Sequence, residues 1–209
     1  MRKQRDGEGT KQTVLATAQE LFAARGFYGT SLTDISKRCG ISEGLILHHF
    51  ISKKMLYHQV LEDLAENYTR VLVEARESAT SPNEMMWQTL EASFNFWRRD
   101  SSYERISLWA YLEGQTEFNQ KEALLTSGLA QAVKQLQEQG FLTDQFSPAV
   151  LLTLIIGPIH YWLRYRDQFK AALNLTENSE DLDRLFLGQL MQLVTTVSGN
   201  ASQSREDRK

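Results

Sequence analysis

Two lysines stand where a helix is poorly suited to hold them. Lys53 and Lys54 follow Ser52, a residue type that caps helix N-termini, so both fall in the first turn of the helix starting there. That end of a helix is already partly positive, and each added cation costs about 0.3–1 kcal/mol. A phosphate held jointly by the free N–H groups and the ammonium groups removes the conflict. Just upstream, the stretch 43–49 carries Glu43, Gly44, Leu45, Leu47, His48 and His49. A glutamate can accept from cytosine N4, a leucine can cover a thymine methyl, and His48 can read a base. Thr33 can reach a phosphate. Gly44 is intrinsically unfavourable in a helix and fits a place that something must approach closely; packing on the preceding helix is the alternative. Adjacent histidines also suggest a metal. Neighbouring helical side chains point about 100° apart, however, and no further Cys or His pair stands at ligand spacing, so no metal site is expected.

These residues need rigid elements behind them. Ile46 and Phe50 stand four apart and share one helical face, the inner one. Residues 31–39 read as another short helix ended by Gly40, with Leu32 and Ile35 inward. Ser31 followed by Asp34 is a capping box with the shorter acid. Two short helices joined by a tight turn predict a helix-turn-helix, its second helix reading a major groove.

Thr30-Ser31-Leu32-Thr33-Asp34-Ile35, then Gly40-Ile41-Ser42-x-Gly44, then His49-Phe50-x-x-Lys53-x-x-Leu56, resembles the TetR-type (TetR/AcrR) transcriptional regulators over roughly residues 10–61. The resemblance implies phosphate contacts for Lys53 and His49, and a ligand-binding and dimerisation domain behind the DNA-binding one. The chain departs from the family at Leu47, where a tyrosine usually meets a phosphate through its hydroxyl. Leucine cannot make that contact.

The balance of charge agrees with a split chain. Net charge is −3 over 209 residues, yet residues 1–60 hold nine Lys/Arg against five Asp/Glu. Only this part suits a polyanion. A 42% hydrophobic content supports a sizeable core. A single cysteine, Cys39, excludes an internal disulfide framework and fits a reducing cytoplasm; its place predicts a small buried residue. No signal peptide is read after Met1, and the longest apolar run, 149–156, is too short to span a bilayer.

The whole pattern predicts an all-α chain of about nine helices: a DNA-binding domain over 1–61 and a ligand-binding and dimerisation domain over 62–209. Residues 2–9 read as a flexible arm, with Thr10 capping a first helix that stops at Gly26. Helices are expected over 43–49, from Ser52 to about 79, and from Pro82 onward. Others are expected over 103–113, from about 119 to 140, over 148–172, and from a Ser179 cap to about 197, before a frayed tail.

The second domain holds all four tryptophans and many other aromatics, Phe118 among them. Trp87, Phe94 and Trp97 recur on one helical face. With Trp109 and Tyr161 they form a candidate ligand pocket between helices, where Glu113 can meet a cation beside aromatic rings. The last two helices are apolar nearly all round, with Val194 and Val197 at the end of the second, so each needs more than one partner. In the resembled family such helices pair with their symmetry mates. A homodimer through them is expected, with Leu187 and Leu190 as the residues to test.

The resulting expectation is a cytoplasmic transcription regulator: most often a repressor, released from palindromic double-stranded DNA by a small apolar or cationic effector. No catalytic constellation, no cofactor and no membrane partner are expected. A helical enzyme, or a structural helical dimer without DNA binding, are the alternatives.

Overall fold

The computed structural model describes residues 2–115 and 120–206, with side chains for 7–115 and 120–193. Phe118 and the side chains of Val194 and Val197 lie outside the described residues. Among these residues the chain is helical: α1 (Arg2–Arg25), α2 (Leu32–Cys39), α3 (Glu43–Phe50), α4 (Lys53–Glu77), α5 (Pro82–Arg99), α6 (Ser102–Leu112), α7 (Gln120–Glu138), α8 (Pro148–Ala172) and α9 (Ser179–Glu206).

Local signals placed most boundaries. Ser31 and Asp34 form the reciprocal capping box, and Gly40 closes α2 with φ of 71°. Ser52 Oγ accepts from Met55 N at 3.1 Å and so caps α4. Three ends differ from expectation. The first helix begins at Arg2 rather than Thr10, because extending a formed helix adds a hydrogen bond for each residue fixed. Thr10 therefore lies within α1 rather than at its N-cap. At the last helix Asn178 is the cap, its Oδ1 accepting from Asp181 N at 2.9 Å, one residue before the expected Ser179. That helix continues to Glu206, into the tail expected to fray.

The chain packs as two units that are not contiguous in sequence. One comprises Met1–Asn67 and Asp100–Ala123, the other Tyr68–Arg99 and Leu124–Lys209. The division thus differs from a cut at 61/62: α6 belongs to the first unit, and α4 contributes residues to both.

In the first unit, Val14, Ala18, Phe22, Ile35, Ile46, Phe50, Leu56 and Val60 are buried. Leu32 and Cys39 are half-buried, the thiol lying 3.8 Å from Ser36 O. α1 packs against α2, α3 and α6, which fixes the short helices on one long one.

In the second unit, α5, α8 and α9 pack together. Phe94, Ile159, Leu182, Leu187 and Leu190 are buried there. A charge is buried with them. Asp183 accepts from Trp162 Nε1 at 2.9 Å and Arg166 NH1 at 2.7 Å, and Arg98 NH1 lies 3.8 Å away. Trp162 stacks on Phe186 with centroids 4.8 Å apart. A buried carboxylate is tolerated only with such partners.

Candidate nucleic-acid interface

The α3 helix is held from one side only. Ile46 is fully buried and Phe50 nearly so, each contributing about 1.5–3 kcal/mol by leaving water. Ser42 caps the helix, its Oγ accepting from Leu45 N at 3.3 Å. The opposite face is free: Glu43, Gly44, Leu45, Leu47 and His48 are exposed, and His49 is half-buried. A Cβ built on Gly44 meets nothing within 4 Å, so packing on the preceding helix does not explain the glycine. Thr33 is exposed on α2. The capping box holds the Asp34 carboxyl below the usual carboxylate range, through hydrogen bonds first from the Ser31 hydroxyl and then from its N–H. The rings of His48 and His49 lie 5.6 Å apart, and no group of three or more His, Cys, Asp or Glu gathers among the described residues.

The two lysines part company. Lys54 is exposed. Lys53 is half-buried, and its Nζ donates to Phe27 O and Thr30 O, both at 2.9 Å. The same ammonium lies 4.1 Å from the Phe27 ring centroid. Two carbonyls and a ring face therefore account for a cation in this first turn without a phosphate.

Lys53 grips the α1–α2 turn, and Glu113 grips the same turn from the end of α6. Its carboxylate accepts from Phe27 N at 3.1 Å and Tyr28 N at 3.0 Å. Gly26, with φ of 72°, has no room for a side chain, because its Cβ position runs into Glu113 Oε1 and the Trp109 ring. Arg105 Nε donates to Ala23 O at 2.8 Å, and buried Thr30 Oγ1 donates to Gly26 O at 2.8 Å. Beneath the turn, Tyr57 is buried with its hydroxyl unpaired. Burial, then the charges of Glu113 and Glu122, push its phenol up to about 12.

Two residues expected at the ligand pocket are engaged at this turn: two backbone N–H groups bind the Glu113 carboxylate, and Trp109 lies beside Gly26. Trp87, Phe94, Trp97 and Tyr161 lie in the second unit. There Trp97 is buried, its ring 5.0 Å from Tyr68 and 4.4 Å from His160, while the Tyr68 hydroxyl pairs with Ser93 Oγ. Tyr161 points outward beside Tyr165. Asp183 escaped the sequence reading, although an acid four residues before Leu187 and seven before Leu190 on an apolar helix was a visible signal.

Two short helices fixed on a third, the second of them bare on one face and flanked by an exposed lysine, define a helix-turn-helix DNA-binding protein. Residues 14–60 match the model of the bacterial regulatory proteins of the tetR family, and residues 86–187 match the tetracyclin repressor-like C-terminal domain. The chain belongs to the TetR family of transcription regulators. It is 30% identical over 93 residues to the transcriptional activator FasR of Mycolicibacterium smegmatis, covering 44% of this chain and 42% of that one. With the transcriptional regulator TtgR of Pseudomonas putida it is 27% identical over 183 residues, covering 79% and 86%. Among solved structures, AibR in complex with isovaleryl coenzyme A and operator DNA has a TM-score of 0.66 at 18% identity, covering 89% of this chain and 98% of that one. No helix among the described residues is long and apolar enough to cross a membrane.

Proposed function

We propose that this protein represses transcription in the cytoplasm by binding a palindromic operator as a homodimer, and that a small effector held by its second unit releases it. It acts by binding rather than catalysis. The observation that carries the reading is the bare α3 face, where Glu43, Gly44, Leu45, Leu47 and His48 stand together over buried Ile46 and Phe50. Thr33, His49 and Lys54 take phosphates, and Lys53 acts through the turn it holds.

Enrichment of duplexes from a random pool tests this directly. Palindromic sequences, bound more weakly as salt rises, are the expected result. A chain that retains no duplex sinks the reading.

The dimer is proposed through α8 and α9. Val150, Leu154, Tyr161 and Tyr165 on α8, and Leu185 and Leu193 on α9, are exposed. Gly157 and Gly188 are open around their Cβ positions, which permits close approach of another helix. Leu187 and Leu190 are buried within their own unit, which favours exposed Leu185 and Leu193 as the contacts in their place. Leu185→Glu is expected to give a folded monomer in sedimentation with little operator affinity, whereas an intact dimer removes α9 from the interface.

The effector is proposed to lie against the polar and aromatic interior of the second unit, around Trp97, Tyr68, Ser93 and His160. With Glu113 committed elsewhere, an apolar compound fits better than a cation. AibR, solved with isovaleryl coenzyme A and operator DNA, supports a small ligand and DNA both acting on this fold. Its coupling to DNA is a differential affinity for two states, about 1–3 kcal/mol. Tryptophan fluorescence during titration, with operator binding followed in parallel, checks it.

A further inference from the structure

Two non-glycine residues among those described have positive φ, Ile51 at 65° and Asn174 at 51°. Asparagine tolerates that region, whereas a β-branched residue is strained there. Ile51 has ψ of −44°, and Ser52 N donates to Phe50 O at 2.6 Å. These are the marks of the rarer, strained γ-turn. The turn is held from both sides, by buried Phe50 before it and by the Ser52 cap and the Lys53 ties after it. Glycine or asparagine meets the same ties without strain. The Ile51 side chain is 78% exposed, so the folded chain gains almost nothing from it. Strain retained without internal benefit points to a contact outside the chain.

The position of Ile51 indicates what it touches. Ile51 N donates to Leu47 O at 2.8 Å, so Ile51 stands one helical turn beyond exposed Leu47 on the reading helix. Three residues further is exposed Lys54. A branched apolar side chain between a base-facing residue and a phosphate-facing cation lies where a nucleotide presents its sugar. We propose that Ile51 packs on a deoxyribose of the operator backbone, extending the α3 face with an apolar contact that is indifferent to sequence. The inference rests on the DNA-binding reading above.

The test compares the full-length protein with Ile51→Asn and Ile51→Val, on an enriched duplex and on an unrelated one, across a salt series. Ile51→Asn is expected to raise the thermal midpoint by about 2–4 °C as strain is relieved. It should also weaken both duplexes by about tenfold, with the salt slope unchanged because no charge is lost. Ile51→Val keeps most of the contact and is expected to bind like the parent. Equal binding by Ile51→Asn overturns this inference alone. So does a loss that flattens the salt slope, since that marks a phosphate contact. A loss confined to the enriched duplex also overturns it, marking a base contact. If midpoint and affinity fall together, Ile51 is structural and the inference fails. If the parent binds neither duplex, the DNA reading falls and this inference with it.

Discussion

The α1–α2 turn of the first unit and the Asp183 cluster of the second are fixed by different means. At the turn, the ties run from side chains to backbone: Lys53 to Phe27 O and Thr30 O, Glu113 to Phe27 N and Tyr28 N, Arg105 to Ala23 O. At the cluster they run between side chains, with Asp183 gathering Trp162, Arg166 and Arg98 amid stacked rings. Backbone ties set where a turn and its helices lie, and they suit a surface that must match the spacing of a groove. Side-chain ties can be exchanged by rotamer changes, and they suit an interior that repacks. The difference fits the proposal that the first unit reads DNA and the second responds to an effector.

The sharpest way to break this comparison is Asp183→Ala. Removing the carboxylate takes from Trp162 its acceptor and from Arg166 its shorter ion pair, leaving Asp167 at 3.3 Å, and a loss of about 1.5–3 kcal/mol is expected in denaturant unfolding. A loss under about 1 kcal/mol means the rings hold the unit alone.

Lys53→Ala comes next. Two carbonyls lose a charged donor, so about 1–3 kcal/mol of stability should disappear, with the salt slope of DNA binding intact. A slope flattened by about one per subunit at unchanged stability would return Lys53 to a phosphate.

Tyr57→Phe removes a buried, unpaired hydroxyl and is expected to stabilise by about 1 kcal/mol at neutral pH. The phenol ionises near 10 when unfolded but near 12 when folded, so the parent loses stability as pH rises from about 10 toward 12. The phenylalanine variant should lack that component of alkaline unfolding. An identical alkaline profile in both proteins counts against the burial of this hydroxyl.

Gly44→Ala carries the smallest effect on stability. With open space at its Cβ, helix propensity alone should raise stability by about 0.8–1 kcal/mol while operator affinity drops. Unchanged affinity would show that DNA does not approach this glycine.

What the sequence disclosed was mostly local. Ser31, Asp34 and Gly40 announce a helix because cap and capped group are three or four residues apart. Ile46 and Phe50 mark an inner face by their spacing alone. The role of Lys53 was hidden because its partners sit 23 and 26 residues away, and that of Glu113 because its partners lie 85 and 86 residues away. Charge placement in the sequence flagged both side chains as unusual without naming the turn they share. On α9 an all-round apolar pattern could not say which side was inside. Leu187 and Leu190 turned inward, Leu185 and Leu193 outward, and only packing against α5 and α8 decided between them.

The Asp183 cluster also bears on how the chain is made. Arg98, Trp162 and Arg166 leave the ribosome before the carboxylate that gathers them, because α9 follows α5 and α8 in the chain. Until then Trp162 lacks its acceptor and Arg166 has only the exposed Asp167 beside it. Its closure therefore waits for α9, while the first unit needs nothing beyond Ala123.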